Sequence, residues 1–178
     1  MKKSAPSKTG LRFSSTLEKS TNKLWGSHFR VPPEVAKRLM KGTDRRVVCT
    51  LNDTVTYQCA MLPQKGGSFV ISVNKQLCKK LKLDYGMDVR ACLKKDESEY
   101  GLPLPEELGE VFRQDAAGDK LFHALTKGKQ RTLLYIIGKA KTSNKRISQS
   151  LAIVNHLKIN KGKINYRQLS NTLRALPR

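Results

Sequence analysis

Apolar and polar positions follow two rhythms along this chain. From Leu11 to about Lys95 they mostly alternate, the period of half-buried strands; from about Pro105 onward apolar residues recur every three or four positions, the period of amphipathic helices. Arg12 to Leu17 predicts a first strand, and Leu24 to Val31 a second, with Trp25 and Phe29 in one phase. Pro32-Pro33 ends that strand and presets a short helix from Glu34 to Met40. Arg46 to Leu51 is a third strand. Asn52-Asp53 turns tightly into Thr54 to Leu62, where Val55, Tyr57, Cys59 and Met61 share the inward phase. Pro63 to Gly67 turns the chain into Ser68 to Val73. Val73 to Leu93, VNKQLCKKLKLDYGMDVRACL, then reads as strand end, short helix, turn and strand. Leu77, Cys78 and Leu81 share a helical face, Asp84-Tyr85-Gly86 is turn chemistry, and Val89, Ala91 and Leu93 alternate with Asp88, Arg90 and Cys92.

The second half reads as helices. Lys94 to Pro103 is an exit linker. Pro105-Glu106-Glu107 opens a helix with proline and acids where the dipole favours them, and Leu108, Val111 and Phe112 form its buried stripe. A second helix runs from about Ala116 to Leu125 through Leu121, Phe122 and Leu125. A third runs from about Lys129 to Lys139 with Leu133, Ile136, Ile137 and Ala140 on one face. Ser143 is placed to cap a fourth, which buries Ile147, Leu151, Val154 and Leu157 and breaks at Gly162. Asn165 caps a last helix carrying Leu169 and Leu173.

The strand–helix–strand stretch occurs twice. At a constant offset of 42 positions Val73 falls on Val31, Leu77 on Val35, Lys79 on Lys37, Leu81 on Leu39, Val89 on Val47, Ala91 on Cys49 and Leu93 on Leu51, without a gap. Further back Thr54 to Cys59 falls on Arg12 to Leu17, and apolar kept on apolar at one offset points to a duplicated supersecondary unit, each copy strand, hairpin, strand, short helix, strand. Two copies can close one small barrel about a pseudo-twofold axis, which removes exposed sheet edges.

VPPEVAKRL, RRVVCTLND and SVNKQLCKKLKL-DYG-MDV resemble the bacterial barrel domain of unknown function found in YdeI/OmpD-associated proteins, and LPLPEEL, GKQRTLLYII and KAKTSNKRI resemble that family's helical tail. The resemblance covers nearly everything from about Leu11 onward. It implies a double-split β-barrel similar to AbrB-type transition regulators, and little about activity. Related barrels usually place an acid directly after the turn glycine, whereas Met87 stands before Asp88 here. AbrB-type proteins complete their barrel as dimers; this chain holds both halves, so their DNA-binding surface does not carry over by fold alone.

Composition adds mainly charge. Of 178 residues, 35 are Lys or Arg and 14 Asp or Glu, a formal net charge of +21. The distribution is one-sided. Glu97 to Asp119 carries six net negative charges, while Lys120 to Arg178 holds fourteen Lys or Arg and no acid. Such a segment calls for a polyanionic partner, nucleic acid foremost; the blander alternative is a solvated surface that resists aggregation. No run of 18 apolar residues predicts a membrane span, and the basic MKKSAPSKTG start is followed by no apolar stretch of a secretory signal. Cys49, Cys59, Cys78 and Cys92 lack metal or CxxC spacing and read as reduced core cysteines of a cytosolic protein.

Candidate chemistry is sparse. His28, His123 and His156 sit in no nucleophile or metal motif, and Lys127-Gly128-Lys129-Gln130-Arg131 lacks P-loop spacing. Glu97, Glu99, Glu106 and Glu107 read as linker and helix start, not acid/base pairs. No enzyme activity and no cofactor or metal are expected. Binding is the stronger case. Lys127, Lys129 and Arg131 stand at the opening of the third helix, where backbone N–H groups favour anions; Lys139, Lys141, Lys145 and Arg146 surround the next turn. With antiparallel packing these residues form two basic poles along which a phosphate backbone could run unread. The alternative for Arg131 and Arg146 is pairing with Glu97, Glu99, Glu106 or Glu110. Most aromatics sit in core phase, so stacking platforms for single strands are not expected.

The expected architecture is mostly β plus α: a flexible basic tail over residues 1–10, a duplicated double-split β-barrel over 11–96, and a small helical module over 97–178. The expected function is a non-enzymatic cytosolic protein that binds polyanions, nucleic acid without strong sequence preference. The alternatives are a protein-interaction or stress- and bacteriocin-protection factor, and a small-ligand pocket between barrel and tail.

Overall fold

The computed structural model describes residues 10–20 and 26–177. The expected basic tail, apart from Gly10, and Leu24 and Trp25 of the second strand lie outside the described residues. The chain divides into two compact units, Met1–Glu97 and Ser98–Arg178, of mixed α/β and helical structure respectively.

The first unit contains strands β1 (Leu11–Lys19), β2 (Ser27–Val31), β3 (Arg46–Leu51), β4 (Val55–Ala60), β5 (Leu62–Pro63), β6 (Phe69–Val73) and β7 (Asp88–Lys95), with helices α1 (Pro33–Leu39) and α2 (Lys75–Leu81). They form one curled antiparallel sheet in the order β4-β3-β7-β1-β2-β6-β5. The offset of the sequence repeat carries β2 onto β6, α1 onto α2, and β3 onto the first part of β7. It also sets register. In β3/β7, Thr50 lies opposite Cys92, and in β2/β6, Phe29 lies opposite Ile71. Both pairs are repeat-related residues placed face to face, the arrangement a local twofold produces.

β1 serves two partners: Leu11 to Thr16 pair with β7, and Leu17 to Lys19 with β2. β4 and β5, at opposite ends of the strand order, are separated by Met61 alone, and Met61 is fully buried. It belongs to one buried core with Leu17, Phe29, Val47, Cys49, Leu51, Ile71, Val89 and Leu93. Two turns hold the sheet together. Asn52 and Asp53 take left-handed backbone angles (φ 50° and 54°), which Asn and Asp tolerate. Asn52 then extends the β3/β7 ladder, its N–H donating to Arg90 O at 2.7 Å and its Oδ1 accepting from Arg90 N at 2.8 Å. At the other turn Gly86 (φ 84°) donates to Leu17 O, and Met87 O accepts from Leu17 N. Met87, the departure from the family pattern, is thus a ladder partner of β1.

Among the described residues the second unit holds α3 (Glu106–Gln114), α4 (Ala116–His123), α5 (Lys127–Gly138), α6 (Ser143–Ile159) and α7 (Tyr166–Ala175). Asp115, Thr126, Thr142 and Asn165 cap α4 to α7 in turn, each accepting a backbone N–H three residues on. Thr142, not Ser143, is therefore the α6 cap. Ser143 is the first helical residue and sends its hydroxyl to Glu107 at 2.8 Å.

Helix α6 is the spine, for α3, α4, α5 and α7 each pack against it. Its buried face carries Gln149, Ser150, Ile153, Val154, His156 and Leu157. Ile147 and Leu151, expected in the core, are 40% and 54% exposed. The face is rotated because Ser150 is small and donates to Arg146 O within its own helix at 2.7 Å, so it enters the core without an unpaired hydroxyl. Gly118 of α4 lies so close to α6 that an added Cβ would fall inside the Val154 side chain.

Two carboxylates hold the ends of α6. Glu107 accepts from Ser143 and, at 2.8 Å, from Arg146, whose Nη1 also donates to Ala140 O. Asp115 accepts from Lys158 Nζ at 2.8 Å. Because Glu107 opens α3 and Asp115 follows its end, α3 and α6 run side by side in the same direction. The Arg146 hydrogen bonds, with Ser143 adding to them, hold the Glu107 carboxyl at about 2. Near the far end His156 is buried and its Nε2 accepts the Asn165 N–H at 3.1 Å, tying α6 to the α7 cap. Burial lowers its pKa.

Gly118→Ala should destabilise the helical unit by about 1–3 kcal/mol through overpacking. Adding Val154→Ala should recover part of that loss, read by urea unfolding. Stability should also fall in two stages on acidification. His156 contributes fully above its ordinary 6.5, and that contribution fades as the pH drops below it. Glu107 contributes fully above its ordinary 4.5, and its contribution is lost as the pH falls toward about 2. Thermal melts across this range should show both stages, with Glu107→Gln flattening only the lower one.

Candidate functional site

The basic residues singled out by sequence gather at the two ends of α5. At its start, Thr126 Oγ1 accepts from Lys129 N at 3.5 Å, and no acidic side chain occupies the first turn. First-turn N–H groups lack intrahelical partners, so this end favours anions. Lys127 and Lys129 are exposed and Arg131 is half-buried. The Lys127 ammonium lies 5.2 Å from the centre of the Tyr100 ring, and Tyr100 Oη is 2.7 Å from His123 Nε2. Burial, with the neighbouring Glu99 carboxylate, pushes the Tyr100 phenol up to about 12, so it remains neutral.

At the other end, Lys139 and Lys141 are exposed and Lys145 half-buried. Lys139 Nζ sits 5.0 Å from the centre of the Tyr135 ring. The twelve residues of α5 set the two poles roughly 18 Å apart at 1.5 Å per residue. Arg146 does not belong to the free set. It is committed to Glu107, a neighbour of the Glu106 that sequence reasoning had proposed, because Glu107 faces α6 while Glu106 faces solvent. Arg131 has no carboxylate partner among the described residues.

The same imbalance extends over the module. Of the described Lys and Arg from Lys120 onward, Arg146 and Lys158 alone pair with carboxylates. Lys161, Lys163, Arg167 and Arg174 are exposed. On the first unit a smaller basic face is made by Lys79, Lys80 and Lys82, at and just beyond the end of α2.

The structure adds a feature that sequence reasoning did not find: a cleft of about 470 Å³ made wholly by the second unit. Leu102, Pro103, Pro105, Leu134, Tyr135 and Lys139 are among the residues that line it. Most described aromatics lie in the two cores, as expected, and Tyr85, Tyr135 and Tyr166 are the exceptions, each about half exposed. Tyr135 falls outside the Leu133–Ile137 stripe of its helix, and that was the available signal.

The histidines occupy separate surroundings: His28 lies against Glu18 at 3.5 Å, His123 against Asp119 at 2.8 Å, and His156 against the α7 cap. Cys49 is buried, and Cys59, Cys78 and Cys92 are half-buried; all four are free. No helix among the described residues is long and apolar enough to cross a membrane.

Comparison with known proteins agrees with this two-unit layout. Residues 13–93 match the family model of a domain of unknown function, DUF1905. Residues 102–160, which span α3 to α6 and both basic poles, match the model described as "Bacteriocin-protection, YdeI or OmpD-Associated". No curated protein matches the chain. With the first model lying on the curled sheet and the second on the helices around α6, the chain belongs to the YdeI/OmpD-associated family.

Proposed function

We propose that this protein binds nucleic acid through its phosphate backbone, without strong sequence preference, and that the helical unit carries the site. The supporting observation is the unneutralised charge of that unit, with Lys127, Lys129 and Arg131 at one end of α5 and Lys139, Lys141 and Lys145 at the other. A separation of roughly 18 Å corresponds to about five base-pair steps along a duplex axis. Contacts of this kind position a strand without reading bases. Arg146 contributes indirectly, by holding α6 on Glu107.

The curled sheet of the first unit is read as a double-split β-barrel. A sheet whose first and last strands, β4 and β5, are joined through one residue has to bend back on itself, and its repeat-related pairs then lie on the barrel's twofold. In this reading the barrel is a scaffold.

A protein-interaction or protection role is the second reading. It is favoured by the family description and by the exposed Ile147 and Leu151 on one side of α6.

Fluorescence anisotropy with labelled duplex DNA over a salt series tests the proposal. Four to six phosphate contacts give a log–log slope of roughly −4 to −5. Reversing Lys129, Arg131 and Lys145 to Glu, with Arg146 kept, should flatten the slope and weaken unrelated sequences alike. No binding at about 50 mM salt, where non-specific contacts are strong, rejects the proposal in favour of the second reading. Full binding by the charge-reversed protein moves the site to Lys79, Lys80 and Lys82.

A further inference from the structure

The cleft beside the second basic pole has a shape and lining that the phosphate-binding reading does not use. Its volume of about 470 Å³ lies within the range of small-molecule sites, about 300–1,000 Å³. Its walls are the flat, apolar surfaces of Leu102, Pro103, Pro105 and Leu134, with the Tyr135 ring 55% exposed among them. The Lys139 ammonium, the end of a long flexible side chain, rests 5.0 Å from the centre of that ring. An exposed cation–π contact is weak, and a planar π-system stacks on tyrosine more strongly.

Charge around the cleft is graded. Lys139 and Lys141 lie on the pole side. Glu106, exposed, also lines the cleft, and Glu107 is already taken by Ser143 and Arg146. Phosphate is therefore drawn to the lysine side and repelled from Glu106, whose carboxylate can instead accept from an exocyclic amino group.

We infer that this cleft takes one unpaired base of a single-stranded nucleic acid, stacked on Tyr135, with its phosphate on Lys139 and Lys141. The inference rests on the phosphate-binding reading and narrows it: duplex binds by charge alone, and single strand by charge plus one stacked base. On entry Lys139 leaves the ring face and turns to the phosphate.

The test compares a labelled single strand of about 12 nucleotides, within the range of known single-strand sites, with the same strand annealed to its complement. Full-length protein is used throughout. Tyr135→Ala should weaken single-strand binding about tenfold, in keeping with the loss of one stacked base, and change duplex binding by less than about twofold. Tyr135→Phe should bind both as the parent does, because the ring and not the hydroxyl is used. Unchanged duplex binding by Tyr135→Ala also reports that the helical unit is folded. An equal loss on both strands, or no loss on the single strand, overturns the base site while leaving phosphate binding intact. Failure of the parent protein to bind either strand overturns the phosphate reading and this inference with it.

Discussion

The helical unit depends on two carboxylate contacts made to one helix. Glu107 grips the first turn of α6 through Ser143 and Arg146, and Asp115 grips its last turn through Lys158. Every other helix of the unit packs on α6, so fixing its two ends fixes the frame on which they rest. Asp115 does double duty, since it also caps α4 at Gly118, the residue whose missing side chain allows α4 to approach Val154. Single surface ion pairs contribute little. Here the Glu107 carboxylate is 12% exposed and collects several donors, which is the setting in which removing one partner leaves a costly unpaired charge.

This use of acids has an electrostatic consequence. Acidic residues of the module end at Asp119, and several are already engaged: Glu107 and Asp115 on α6, Glu110 on Arg113, Asp119 on His123. Little negative charge remains for the fourteen Lys and Arg that follow. Most of the remaining described positive charge faces solvent, with one share of it at the two ends of α5. A surface of that kind keeps a protein soluble in any case. What distinguishes this one is its combination with an anion-favouring helix start and a cleft holding an uncovered aromatic ring.

The first unit solves a different problem by repetition. Each copy of the repeat supplies a strand, a short helix and a second strand, and neither copy alone could pair all its edges. Antiparallel pairing of β3 with β7 and of β2 with β6 joins the copies at equivalent residues. The long β1 and the nearly continuous β4 and β5 carry the chain from one pairing to the next. Exposed ladder edges are reduced without adding elements.

Much of this was determined by the sequence alone. The constant offset that placed Leu77 on Val35 and Val89 on Val47 became strand register, because a side-chain period of two leaves no freedom to slip when one face is buried. Asn165, Pro33 and Asp84 to Gly86 marked their cap and turns through local backbone chemistry, which needs no distant partner. The charge asymmetry after Lys120 was equally plain, and with it Lys127, Lys129, Lys139 and Lys141 as exposed cations. Tertiary structure alone decided that Arg146 belongs to Glu107, that Ser150 is buried while Leu151 is not, and that Tyr135 borders a cleft. The reason is common to all three. Periodicity tells which side of a helix a residue occupies relative to that helix's own axis. Which side is covered, and by which carboxylate or proline, depends on neighbours brought from dozens of residues away.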